Sequence, residues 1–152
     1  MIKEDFELLC KKRILYLDGA TGSNLMKAGM PAGVCPELWI LEHPDVLKKL
    51  QSDYVTAGSD ILFAPTFTSN RIKLNEYGIA DRQEELIQRL VGLSKEAAGE
   101  KALIAGDITM TGRQLIPMGN MSLDYLIDVY KEQIRFLADA GVDLLVIETM
   151  MS

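Results

Sequence analysis

The stretch Ile14-Leu15-Tyr16-Leu17-Asp18-Gly19-Ala20-Thr21-Gly22-Ser23 decides how the rest of the chain is read. An apolar run leads straight into an acid, and the acid into a small, glycine-containing turn. Such a run fits a strand buried on both faces, as in a parallel sheet covered by helices. The acid then stands at the carboxyl end of that strand, the edge where open α/β sheets and α/β barrels place their chemistry. Strand one is set at 13–17.

Outward from this stretch the same unit recurs. Residues 3–12 read as a short amphipathic helix with Phe6, Leu8 and Leu9 apolar and Lys11-Lys12 near its end, a lid under strand one. Residues 23–28 form a short helix ended by Gly29, and 29–43 a long loop with Cys35, Pro36, Trp39 and His43. Pro44 starts a helix whose Leu47, Leu50, Tyr54 and Val55 fall at helical spacing, and Gly58 ends it. Strand two is 60–65, followed by Thr66-Phe67-Thr68-Ser69-Asn70, a short helix at 70–77 and a longer one at 81–98. Strand three is 102–106, closed by Asp107 and a loop at 109–119. Ser122 caps a helix with Leu126, Val129, Ile134, Leu137 and Ala138 as its buried stripe, and strand four is 142–147, ending in Glu148-Thr149.

Strand starts repeat at intervals of about forty residues, the rhythm of a parallel sheet built from strand-helix units. An open doubly wound sheet and a (β/α)8 barrel share it. The barrel typically needs about 250 residues, and four units use the 152 present. The chain stops directly after a strand, so the expected architecture is a truncated (β/α)8 barrel of about four β/α units with parallel strands.

Composition narrows the class. At 48% hydrophobic and 25% charged residues the chain is an ordinary globular protein. Its net charge of −6 argues against a nucleic-acid partner, which needs clustered Lys and Arg. No apolar run approaches the roughly 20 residues of a membrane helix, and the acidic start Lys3-Glu4-Asp5 is no signal peptide. Cys10 and Cys35 lie far apart in different contexts, which argues against a disulfide and for a cytoplasmic location.

Asp18 and Glu148 end strands one and four. In a barrel both face one mouth, where two carboxylates can hold an ammonium group; otherwise Asp18 caps a turn and Glu148 pairs with a loop lysine. Gly19-Ala20-Thr21-Gly22 offers backbone N–H groups to a carboxylate or phosphate, or is simply a tight turn. Thr66, Thr68, Ser69 and Asn70 could bind a polar ligand or cap the next helix. Asp107, Thr109 and Thr111 could do the same, or hold their own loop. Cys10, Cys35 and His43 lack metal-ligand spacing, since zinc takes four ligands and no such set is present. No metal site is expected in these residues.

Taken together, Asp18-Gly19-Ala20-Thr21-Gly22-Ser23, Pro36-Glu37-Leu38-Trp39, Ala57-Gly58-Ser59-Asp60-Ile61-Leu62, Pro65 to Arg71, Gly106-Asp107-Ile108, Thr111-Gly112 and Gly141-Val142-Asp143 with Ile147-Glu148-Thr149 resemble the homocysteine S-methyltransferase family. The resemblance is strongest to the amino-terminal homocysteine-binding module of its cobalamin-dependent members. It implies that residues 1–152 are the first half of a barrel about twice as long, with homocysteine at the carboxyl mouth and its thiol on a zinc ion held by three cysteines. Carried over by motif, Asp18 and Glu148 hold the substrate ammonium group, the amides of Gly19, Ala20 and Thr21 take its carboxylate, and Thr66 and Phe67 line the pocket. The zinc cysteines of the family follow later strands, and Cys10 and Cys35 do not match them. The loop from Asp107 to Gly112 departs from the commoner glycine-proline form, which leaves betaine or S-methylmethionine open as donors beside methyl-cobalamin and methyltetrahydrofolate. A non-catalytic amino-acid-binding or assembly module is the reading from another class. Half a barrel has open sheet edges, so self-association is expected.

Overall fold

The computed structural model describes residues 2–151. In chain order these form α1 (Lys3–Lys12), α2 (Gly22–Lys27), α3 (Pro36–Glu42), α4 (Pro44–Ala57), β1 (Ile61–Ala64), α5 (Arg71–Asn75), a single 3-10 turn (Ala80–Arg82), α6 (Gln83–Ala98), β2 (Leu103–Ile108), α7 (Leu123–Asp139) and β3 (Leu144–Ile147). The strands are parallel and adjacent in sequence order, β1-β2-β3. Among the described residues no helix is long and apolar enough to cross a membrane.

Two copies of a Gly-x-Asp device set the strand register. Gly58 and Gly141 end α4 and close the turn after α7 at φ of +105° and +77°, a conformation that side chains resist. Two residues on, Asp60 accepts the Tyr16 N–H and Asp143 accepts the Ile104 N–H, both at 2.9 Å. Each aspartate thereby fixes the strand it opens against the one before. Arg13 closes the first of these with a bidentate pair to Asp60 at 2.6 and 2.7 Å.

Pleat alternation divides the sheet into two faces. Leu62 and Ala64 of β1 and Ile104 and Ile108 of β2 pack on Ile87, Val91 and Ala98 of α6 and Leu137 of α7, with Tyr54 and Val55 of α4 at the margin. Burying a side chain of this size stabilises by about 1.5–3 kcal/mol. Gly106 belongs to this face, where a Cβ would meet Leu137 at 3.1 Å. The opposite face carries Phe63, Asp107 and Val146. A second cluster, Leu25, Trp39, Ile40, Leu47 and Leu90, ties α2 and α3 to α4 and α6.

Several expectations change. Strand one is reduced to a single parallel bridge, Leu17 to Ile61. Far from being buried on both faces, Ile14 and Tyr16 are 72% and 61% exposed, because β1 flanks the segment on one side only. Residues 36–42 of the supposed loop are helix α3, started by Pro36 and tied down by Trp39 and Ile40. Helix α1 fully buries none of its residues, and only Phe6 and Leu9 are half-buried, so it is at most a partial lid. Strand β2 runs on through Ile108 and takes in Asp107. On α7 the stripe is Val129, Gln133 and Leu137, while Ala138 faces outward.

Candidate functional site: an acidic cleft at the carboxyl edge of the sheet

The carboxyl ends of the strands open into a cleft of about 540 Å³, walled by Asp18 to Gly22, Pro36-Glu37, Phe63 to Pro65, Phe67-Thr68, Asp107 and Glu148. Asp18 is locked at its rim. Its own N–H donates to Ile61 O at 2.9 Å, and its Oδ2 accepts the Phe63 N–H at 3.1 Å. The carboxylate thus continues the ladder where the main chain turns away, and its second oxygen has no partner among the described residues. Burial raises the Asp18 carboxyl to about 6, against the lowering pull of the Phe63 and Asp18 amides.

After Asp18 the turn is held from behind. The Tyr54 hydroxyl donates to Ala20 O at 2.9 Å, and Asn24 Nδ2 donates to the same oxygen at 2.6 Å. Among the described residues the N–H groups of Gly19, Ala20 and Thr21 donate to no backbone acceptor. Across the cleft, Glu148 follows β3, its N–H bound to Ile108 O at 3.0 Å. Glu148 is exposed, and it lies on the same pleat face as Asp107, which pairs with Val146.

Two buried acids face this space: Glu37 at 2% exposure, taken up by hydroxyls, and Asp107 at 6%. Burial first, then the negative charge of Glu148 and of Asp18, push the Asp107 carboxyl up to about 7, against the amide of Ile108. Thr66 is fully buried and stands behind Asp107. Its Oγ1 accepts the Asp107 N–H at 3.1 Å and donates to the Asp107 carbonyl at 3.0 Å. It therefore does not line the cleft, whereas Phe67 does. The cleft holds Asp18, Glu37, Asp107 and Glu148, and no lysine or arginine among its lining residues. Such a space suits a cationic group.

A larger depression of about 770 Å³ lies outside it, between α5, the 113–122 loop and α7. There Arg71 is paired with Glu132 at 3.5 Å and Arg113 with Glu76 at 3.8 Å, so its cations are already answered.

Residues 15–152 match the family model described as homocysteine S-methyltransferase. The chain belongs to that family. It is 29% identical over 150 residues to the methionine synthases of Mycobacterium tuberculosis and Mycobacterium leprae, covering 91% of this chain and 12% of each of theirs. The homocysteine methyltransferase MmuM of Escherichia coli has the same fold: its oxidised form superposes with a TM-score of 0.79 at 24% identity, over 95% of this chain and 56% of that one. Its metallated form gives a TM-score of 0.77 at 22% identity. The chain thus spans a small part of the methionine synthases and little more than half of the Escherichia coli enzyme.

The zinc implied by the family resemblance finds no ligand set here. Among the described residues no three His, Cys, Asp or Glu side chains come together to hold a metal. Cys10 is exposed on α1, and Cys35 is buried with its thiol donating to Glu37 Oε2 at 3.3 Å. Burial pushes the Cys35 thiol up to about 11, the wrong direction for a thiolate ligand.

Sequence reasoning missed the groups that hold the cleft in shape. Glu37 accepts from Thr68 Oγ1 at 2.5 Å and Ser69 Oγ at 3.3 Å. Gln51 of α4, Gln83 of α6 and Gln133 of α7 are buried, and each amide donates to a carbonyl of the β1 exit, at Phe63, Ser69 and Thr66. A glutamine inside an otherwise apolar helical stripe is the signal that could have found them.

Proposed function

We propose that this chain is the homocysteine-binding half of a (β/α)8 methyltransferase barrel, with residues 1–152 forming its first four units. The barrel reading is supported by the strand order, which never reverses, and by helices packed on one sheet face only. The observation that carries the substrate reading is the cleft itself. It brings together the carboxylates of Asp18 and Glu148 and the undonated N–H groups of Gly19, Ala20 and Thr21. An α-amino acid presents the matching pair, an ammonium group for the acids and a carboxylate for the amides. Phe67 and Leu25 give apolar wall for its side chain.

In the whole protein the reaction is methyl transfer to the homocysteine thiol. The methionine synthase matches favour methyl-cobalamin, recharged from methyltetrahydrofolate, as the donor over betaine or S-methylmethionine. This chain's part is to orient the amino acid so that its thiol points out of the cleft. The groups that would activate the thiol are not among its described residues, so the chain alone binds homocysteine and transfers no methyl group.

Isothermal titration of the chain with L-homocysteine tests this. One ligand per chain is expected, with affinity lowered at least about tenfold in Asp18→Asn through loss of a charge-assisted bond. Unchanged affinity in that variant would remove the ammonium assignment. One tightly bound zinc per chain, or methyl transfer by the chain alone, would refute the division of labour.

A further inference from the structure

Asp107 has no task in the function above, and its surroundings demand one. It is nine-tenths buried, it lines the cleft, and its Oδ1 finds no hydrogen-bond partner among the described residues. The charged groups facing it are all acids: Asp18 from the segment before α2, Glu37 from α3 and Glu148 after β3. Glu37 is already occupied by the hydroxyls of Thr68 and Ser69. Neither α6 nor α7 brings a charge to the cleft wall. Its main chain is fixed at the cleft wall, because Thr66 clasps the backbone N–H and C=O of Asp107, and Gln133 of α7 holds Thr66 by its carbonyl. A carboxyl buried among acids, with an oxygen left unpaired, must take up a proton or meet a cation.

We propose that Asp107 is a third anchor for the ligand's ammonium group, and that in the empty cleft it carries a proton which the arriving ammonium displaces into solvent. This rests on the amino-acid reading of the cleft. The exchange is balanced: one positively charged group enters and one proton leaves. Burial and the charge of Glu148 set the carboxyl at about 7, so the exchange falls near neutral pH. Affinity for an ammonium-bearing ligand then climbs with pH, whereas a ligand lacking that group displaces nothing.

Titration calorimetry of the full chain with L-homocysteine under reductant, repeated in phosphate and in Tris, counts the protons released. About half a proton per ligand is expected at roughly pH 7, nearly all of it from Asp107, and about one and a half at roughly pH 6, where Asp18 adds its share, with affinity rising with pH across that range. Asp107→Asn should release almost no proton at roughly pH 7, and at roughly pH 6 only about half a proton, the share of Asp18, whose carboxyl stands at about 6. Asp107→Ser should match it, so that one poorly folded variant does not decide the matter. 4-Sulfanylbutanoate, which is homocysteine without its amino group, should release no proton from the wild-type chain. Equal release from wild type and Asp107→Asn, or none from wild type, overturns the inference and leaves the amino-acid reading standing. No heat from wild type with homocysteine between roughly pH 6 and 8 overturns that reading, and the inference with it.

Discussion

Gly19 has no room for a side chain. A Cβ there would stand 2.8 Å from the Tyr54 hydroxyl oxygen and 2.9 Å from its ring carbon Cε1. That ring cannot simply retreat, since its hydroxyl holds Ala20 O and receives the Asn24 amide at 3.1 Å. Overpacking of this kind costs about 1–3 kcal/mol, and it turns the neighbouring amides away from the cleft. Gly19→Ala should therefore lower the melting temperature and weaken homocysteine binding together. In a double-mutant cycle with Tyr54→Ala the two changes should couple, and additivity would show that the clash is not the cause. The acids make a second prediction at this scale. Asp18 and Asp107 have carboxyls raised to about 6 and about 7 from the ordinary 3.8, so between those values the folded chain binds more protons than the unfolded one. Stability then falls as pH rises through that window. Asp60 and Glu85 are held below the usual range by Arg13 and Arg82, and their contribution is lost only at lower pH. Thermal melts should give a higher midpoint at about pH 5.5 than at about pH 7.5, and Asp107→Asn should narrow the gap by lifting the neutral value. An unchanged gap would take Asp107 out of the account.

Among the elements, α3 shows how far the site depends on pieces that are remote in sequence. Glu37 on α3 carries a buried carboxyl group whose partners, Thr68 and Ser69, lie after β1, and the same group receives the Cys35 thiol. Glu37→Ala leaves those hydroxyls unpaired in a closed space, at a cost of about 1–3 kcal/mol. Urea denaturation should show that loss, and iodoacetamide should reach Cys35 faster in the variant than in the wild type. Protection of Cys35 equal to wild type would mean that Glu37 does not close this corner. The strand-helix rhythm was legible because each parallel strand is a short apolar run and each long helix shows its stripe, as in Leu86, Ile87 and Leu90 of α6. The acids Asp18 and Glu148 were legible because position after a strand marks the active edge. Helix α3 was not legible: residues 29–43, with Pro36 among them, read as loop, and the helix stands because Trp39 and Ile40 find Leu47 and Leu90. Nor could Asp107 be separated from its loop, since its burial depends on Thr66, forty-one residues earlier, reaching across from β1. Long-range pairing of this kind leaves no local pattern.

The whole molecule exposes more surface than its mass predicts. A monomeric protein of 16.9 kDa is expected to expose about 7,700 Å², and this chain exposes 8640 Å². The excess, roughly 900 Å², is close to the share that each partner buries in a standard protein interface, about 800 Å². Part of the exposed apolar surface lies at the two sides of the sheet. On one, Ile14, Tyr16 and Leu17 lie along a segment joined to β1 by a single bridge; on the other, Leu145 and Ile147 of β3 stand 38% and 60% exposed. Both sides also present unpaired backbone groups, the condition under which strands recruit one another. A second copy of this chain offers the same two sides, and a two-fold arrangement can bring them together without leaving an open edge between them. Sedimentation velocity should therefore show species heavier than 16.9 kDa whose fraction grows with concentration. Replacing Leu145 and Ile147 by lysine puts unpaired charges against the apolar Ile14, Tyr16 and Leu17 of the other copy and should return the chain to monomer while leaving the cleft intact, because these residues sit on the pleat face opposite Asp107. A wild-type chain that stays a single 16.9 kDa species up to about 100 μM would show that these sides do not pair in solution.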